Sequence, residues 1–162
     1  MMNWQSGGSS MKVNIKTVSH DAEESAELYI HERDEAVDRL AEYLEQDLFR
    51  SVTLLCQKEE KICRVPSPEI YLIETVMEKQ VVHTKEETFE TNKRLYELER
   101  LLPSNFIRIS KSVIMNIDKV RTYTPMLNGL MKVSMINSQV TYISRKYLKE
   151  VKDRILEARH YE

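Results

Sequence analysis

The sequence predicts a mostly-β fold of antiparallel sheets with short helices, preceded by a small α/β N-terminal segment. Strand-like runs recur at short spacing from residue 52 onward. Polar or proline-bearing breaks separate them, such as Lys58-Glu59-Glu60, Pro66, Pro68 and Asn137-Ser138. Stripes of helical period are brief and confined to residues 33–48, 91–102 and 146–156. Many short strands with few short helices give a single β-rich domain over about residues 52–158.

In chain order, residues 1–11 read MMNWQSGGSSM, with no charge and no periodicity. They are expected to be a flexible leader of the kind that expression cloning leaves behind, with a second start at Met11. Residues 12–50 form the N-terminal segment. Val13 and Ile15 alternate in a short strand over 12–18, and residues 27–31 suggest a second one. Val37, Leu40, Ala41, Leu44 and Leu48 then share one helical face over 33–48, with acids outside it.

From residue 52, runs 52–57 and 61–65 make a hairpin, as do 80–84 with 88–90. Ile70 and Leu72 alternate with Tyr71, Ile73 and Thr75 in a strand between them. Residues 91–102 predict a helix with Leu95, Leu98, Leu101 and Leu102 inward, stopped by Pro103. Residues 106–110, 113–117 and 120–124 are short strands, and 130–136 with 139–144 a last hairpin. A final helix over 146–156 buries Tyr147, Leu148, Val151, Ile155 and Leu156. Met115, Met126, Met131 and Met135 read as core filling, and Phe106 and Tyr142 as buried by alternation.

Composition narrows the function. The chain has 162 residues, 41% of them hydrophobic and 31% charged, which suits a packed soluble domain. Beyond the first residues no uncharged stretch exceeds twelve residues, and the ten-residue stretch 122–131 holds Pro125 and Gly129, so no membrane span is expected. Without a secretory signal, a cytoplasmic location is expected. Cys56 and Cys63 face each other if their hairpin centres between Glu59 and Glu60, and reduced thiols are the expected state. No histidine has a neighbour at metal-ligand spacing, and no phosphate loop, dinucleotide fingerprint or nucleophile elbow appears. No enzyme activity, metal or cofactor is expected.

Charge points elsewhere. Residues 1–60 hold 6 basic and 13 acidic side chains, whereas residues 104–149 hold eight basic ones against Asp118 alone. Such a local field attracts polyanions, nucleic acid first among them. The alternative is a solvated face balanced in space by the acidic N-terminal part.

Two places concentrate the signal. Ser144 is placed to cap a helix whose first turn carries Arg145 and Lys146. Two cations there oppose the helix dipole, and a bound phosphate would remove the conflict. The competing reading pairs Arg145 with a carboxylate on an adjacent loop. In the second, Arg108 and Ser110 share a strand face, and an irregularity at Lys111-Ser112 would present both to solvent. Lysine and serine donate to phosphates and base edges. The competing reading is a polar strand end.

Residues 53–156 resemble the LytTR family of bacterial DNA-binding domains. Glu69-Ile70-Tyr71-Leu72-Ile73-Glu74-Thr75 is similar to its I-x-x-I-E-S strand, Val82-His83-Thr84 to the strand that follows, and Leu95-x-x-Leu98-Glu99-x-x-Leu102-Pro103 to its short helix. Phe106-Ile107-Arg108-Ile109-Ser110-Lys111-Ser112-Val113-Ile114-Met115-Asn116 is close to the central signature F-x-R-x-H-R-S-y-i-V-N. Ile143-Ser144-Arg145-Lys146-Tyr147 is close to the terminal v-S-R-r-y.

The resemblance implies elongated antiparallel sheets whose loops and strand ends enter successive major grooves. It implies DNA contacts at Lys79, at Lys111 with its neighbours Ser110 and Ser112, and at Arg145 with Lys146; Arg108 joins these candidates from the strand-face reading above. It also implies a homodimer on repeated half-sites. The chain departs from the family in carrying Ser110 where the signature has histidine. About forty acidic-rich residues stand where many relatives carry a receiver. It is thus more similar to stand-alone regulators, some of which work with a membrane-bound inhibitor protein. A protein-interaction module or anti-regulator on the same fold is the alternative.

Overall fold

The computed structural model describes residues 10–159, with side chains to residue 156. The predicted leader therefore lies outside the described residues except for Ser10 and Met11.

Helix α1 spans Glu35–Glu45, and the Asp34 carboxylate caps it by accepting from the Val37 N–H at 2.9 Å. A short 3-10 turn, Leu48–Arg50, follows after Asp47 takes a left-handed φ of 52°. Leu48 thus belongs to that turn and not to the helix. The stripe Val37, Leu40, Ala41 and Leu44 is half-buried, and no α1 residue is fully buried. The strands expected at 12–18 and 27–31 do not form: residues 10–34 contain no strand, and Val13 and Ile15 are 73% and 88% exposed. Alternation alone cannot hold a strand whose backbone finds no neighbour to pair with.

Ten strands follow in two antiparallel sheets. Strands β1 (Thr53–Lys58), β2 (Lys61–Pro66), β3 (Leu72–Val76), β4 (Lys79–His83), β5 (Thr88–Thr91), β6 (Phe106–Arg108) and β7 (Val113–Asn116) form a seven-stranded sheet. Its order is β2-β1-β5-β4-β3-β7-β6. Strands β8 (Val120–Pro125), β9 (Met131–Met135) and β10 (Val140–Ile143) form a three-stranded sheet. Helices α2 (Leu95–Leu101) and α3 (Arg145–Arg159) complete the fold.

The large sheet is apolar on both faces. Leu54, Ile73, Val82 and Ile114 pack with Leu95 and Leu98 of α2 on one side. Leu72, Ile107 and Met115 pack with Met131, Val133 and Ile143 of the small sheet and Val151 of α3 on the other. The period-two alternation of β3 and β7 supplies both layers. Cys56 and Cys63 lie opposite each other in the β1–β2 hairpin, and both thiols are free.

Helix α2 starts later than predicted because Thr91 still pairs with Gln80 as the end of β5. Leu101 then faces solvent and Leu102, past the helix end, is buried. Tyr142, Met126 and Leu156 are exposed as well, contrary to expectation. Tyr142 lies on the outer face of β10, Met126 in a loop past the end of β8, and Leu156 off the Val151–Ile155 stripe of α3.

Candidate nucleic-acid interface

Strand register brings four chain segments to one end of the molecule. The β3–β4 turn closes at Val76 and Lys79, and Glu74 pairs with Val113 at the start of β7. In the small sheet, Pro125 pairs with Met131 and Met131 with Ile143. The turn at 77–78, the link 109–112, the loop 126–130 and the start of α3 therefore share one rim.

Hydrogen bonds staple them together. The Thr75 N–H donates to the Ser112 carbonyl at 2.8 Å, tying β3 to the 109–112 link. The Ser144 N–H and hydroxyl both donate to the Ile109 carbonyl, at 2.9 and 3.3 Å, tying the same link to α3. Ile109 itself is fully buried, which pins the link to the core and turns its polar neighbours outward. Ser110 Oγ accepts from the Ser112 N–H at 3.2 Å and narrows the bend.

On this frame the predicted contact residues divide into two kinds. Arg145 is exposed, and its Nε donates to the Asn128 carbonyl at 2.9 Å, leaving both terminal nitrogens without a partner among the described residues. The carboxylate pairing considered for it does not occur among the described residues. Lys146 is exposed beside it, with Nζ 5.6 Å from the centroid of the Tyr147 ring. No acid occupies the first turn of α3, so the unfavourable pairing of cations with the helix dipole stands uncompensated there. Lys111 is exposed at the bend, and Ser110 and Ser112 flank it.

Arg108 and Lys79 are engaged within the protein. The Arg108 guanidinium donates to the Ser110 carbonyl at 3.1 Å, to the Lys111 carbonyl, and to Glu99 at 3.0 Å. It wraps the bend that presents Lys111. Lys79 Nζ donates to Glu90 at 2.7 Å, with both side chains about half exposed. A pair this exposed contributes roughly 0–1 kcal/mol, so a phosphate can displace the carboxylate. Asn116, which ends the central motif, is buried and structural: it donates to the Ile70 carbonyl at 2.9 Å and accepts from the Asp118 N–H at 3.0 Å.

Sequence reasoning missed the 126–130 loop. Gly129 has a φ of +79°, and a Cβ there would stand 3.1 Å from Arg145 Nε, so the arginine lies against bare backbone. The signal was available, since Gly129 is the single glycine after residue 10. Not all the local charge serves the rim. Arg121 donates to the Ile136 carbonyl at the far end of the small sheet. Among the described residues no group of three or more metal-ligating side chains occurs, and no helix is long and apolar enough to cross a membrane.

The chain is similar to known proteins in sequence and in fold. Residues 60–156 match the family model described as the LytTr DNA-binding domain. Two Staphylococcus aureus proteins, from strains NCTC 8325 and COL, are 29% identical over 145 residues, covering 90% of this chain and 98% of each relative. Both are called uncharacterized HTH-type transcriptional regulators. In this chain strands separate all three helices, so the described residues contain no helix-turn-helix. The solved LytTr DNA-binding domain of a DNA response regulator from Bacillus cereus superposes with a TM-score of 0.60 at 24% identity, covering 62% of this chain and 94% of that one. That likeness establishes the fold.

Proposed function

This chain belongs to the LytTR family of DNA-binding domains, and from that premise we propose that it is a sequence-specific transcription regulator that reads duplex DNA with the stapled rim. Arg145 and Lys111 are the base readers, most naturally of guanine O6 and N7. Lys79, Lys146, Ser110 and Ser112 hold phosphates and set register. Arg108 acts through the 109–112 bend as a positioning residue. The observation that carries this reading is the exposed Arg145 guanidinium, held at the start of an acid-free helix turn and tied through Ser144 to the link bearing Lys111.

The proposed organisation is a DNA-binding domain over residues 52–158 with an attached segment over 12–50. The proposed partners are duplex DNA, a second copy on repeated half-sites and a membrane-bound inhibitor protein as regulatory input. We assign the protein to the cytoplasm, with no reaction catalysed. The likeness of the chain to stand-alone regulators supports these assignments.

The experiment is selection of bound fragments from random duplex DNA by the full chain, followed by titration of the selected site. A defined site emerges, and Arg145→Ala weakens binding to it by about 1–3 kcal/mol. Failure to enrich any sequence, together with an Arg145→Ala binding curve equal to that of the parent, overturns the proposal in favour of a protein-interaction module.

A further inference from the structure

The loop that holds Arg145 carries two apolar side chains into water. Leu127, at its apex, is fully exposed, and Met126 beside it is 40% exposed. Leu127 joins neither core cluster. The loop is nevertheless firmly built. The Met126 N–H donates to the Leu130 carbonyl at 2.9 Å, the Gly129 N–H to the Met126 carbonyl at 3.2 Å, and the Leu130 N–H to Asn128 Oδ1 at 3.2 Å. The Asn128 carbonyl grips Arg145 Nε at 2.9 Å, and Gly129 lies against the same side chain. Loop and arginine are therefore tied together, and Leu127 stands one residue from the carbonyl that holds the guanidinium.

We infer that Leu127 is a further specificity-determining residue, seated against the C5-methyl group of a thymine near the base that Arg145 reads. The inference rests on Arg145 being a base contact. Its chemistry is selective, because the major groove is lined with polar edges and the thymine methyl is the apolar group it offers. A leucine at the tip of an otherwise polar turn gains nothing from guanine, cytosine or adenine edges. Placed on a thymine methyl, it removes apolar surface of both partners from water. The pair then prefers a guanine with a thymine close by.

The test replaces each thymine of the selected site in turn by deoxyuridine, which deletes only the methyl group. Affinities of the full chain, Leu127→Ala and Arg145→Ala are measured on each duplex. At one thymine the parent loses about fourfold, the worth of one buried methyl. Leu127→Ala is weaker than the parent by at least that factor on the thymine duplex and indifferent to the replacement. A parent indifferent at every thymine, or a Leu127→Ala variant that keeps the full discrimination, overturns the inference. In that event, an Arg145→Ala variant weakened tenfold or more leaves the DNA-reading role of the rim standing, whereas an unweakened one rejects that role as well. A Leu127→Ala variant that loses self-association while keeping the thymine discrimination assigns the loop to a second copy of the chain, which also overturns the inference.

Discussion

Tyr123 carries its hydroxyl into the protein, where it is buried without a hydrogen-bond partner among the described residues. Burial first, and the nearby Asp118 charge second, push its pKa up to about 12. The neutral phenol is thus favoured in the folded chain more than in the unfolded one. Its contribution to stability is fully present below the ordinary value of 10.0 and is lost as pH rises towards about 12. Tyr123→Phe removes an unsatisfied buried group, so it leaves stability near neutral pH unchanged or raises it by up to about 1 kcal/mol. Denaturant unfolding at pH 7 and across pH 10–12 checks this: the alkaline loss is smaller in the variant. At single positions, the sequence revealed residue type better than direction. Arg108 was legible as a cation beside the bend, but its turn back onto the Ser110 and Lys111 carbonyls depends on β6 ending before the buried Ile109. Cys56 and Cys63 were legible as partners because the hairpin turn fixes their register.

Elements were read best where a polar link interrupted the strand-like runs. The β1–β2 and β9–β10 hairpins fall about Glu59-Glu60 and Asn137-Ser138, and Glu59 and Ser138 take the positive φ that such turns require. The β3–β4 turn uses Met77 and Glu78 at φ of 47° and 66°, residue types that carry no turn signal. Strands 12–18 and 27–31 were misread because alternation reports amphipathicity, whereas a strand also requires a pairing neighbour. The 126–130 loop is the element on which the rim depends most narrowly. Gly129→Ala would place a methyl carbon 3.1 Å from Arg145 Nε in a backbone conformation that L side chains rarely adopt. The strain costs about 1 kcal/mol of stability, read as a lowered melting temperature. The displaced arginine lowers affinity for the selected site by an amount comparable to Arg145→Ala, read in the same titration. A variant that melts lower but binds like the parent would detach the loop from DNA reading.

The whole molecule concentrates its informative chemistry at one end. The β1–β2 turn, the β4–β5 loop and the β9–β10 turn lie at the other, where Lys58 pairs with Glu87 and the Asn137 side chain donates to the Thr84 carbonyl. The charge asymmetry along the chain foretold a cationic face but not its assembly, because staples such as Ser144 to Ile109 join residues 35 positions apart. The alignment with the relatives extends into the N-terminal segment. An alignment of 145 residues cannot fit within residues 60–162, which number 103, so more than 40 of the first 59 residues are aligned too. In the proposed function, segments 77–79, 109–112, 126–130 and 144–146 act as one DNA-facing rim. Amide hydrogen exchange of the full chain, with and without its selected duplex, tests it most directly. Exchange slows in those four segments together on binding, with the turns at 59–60, 84–87 and 137–138 unchanged. Slowing confined to those opposite turns or to α1, with the four segments unaffected, would contradict it.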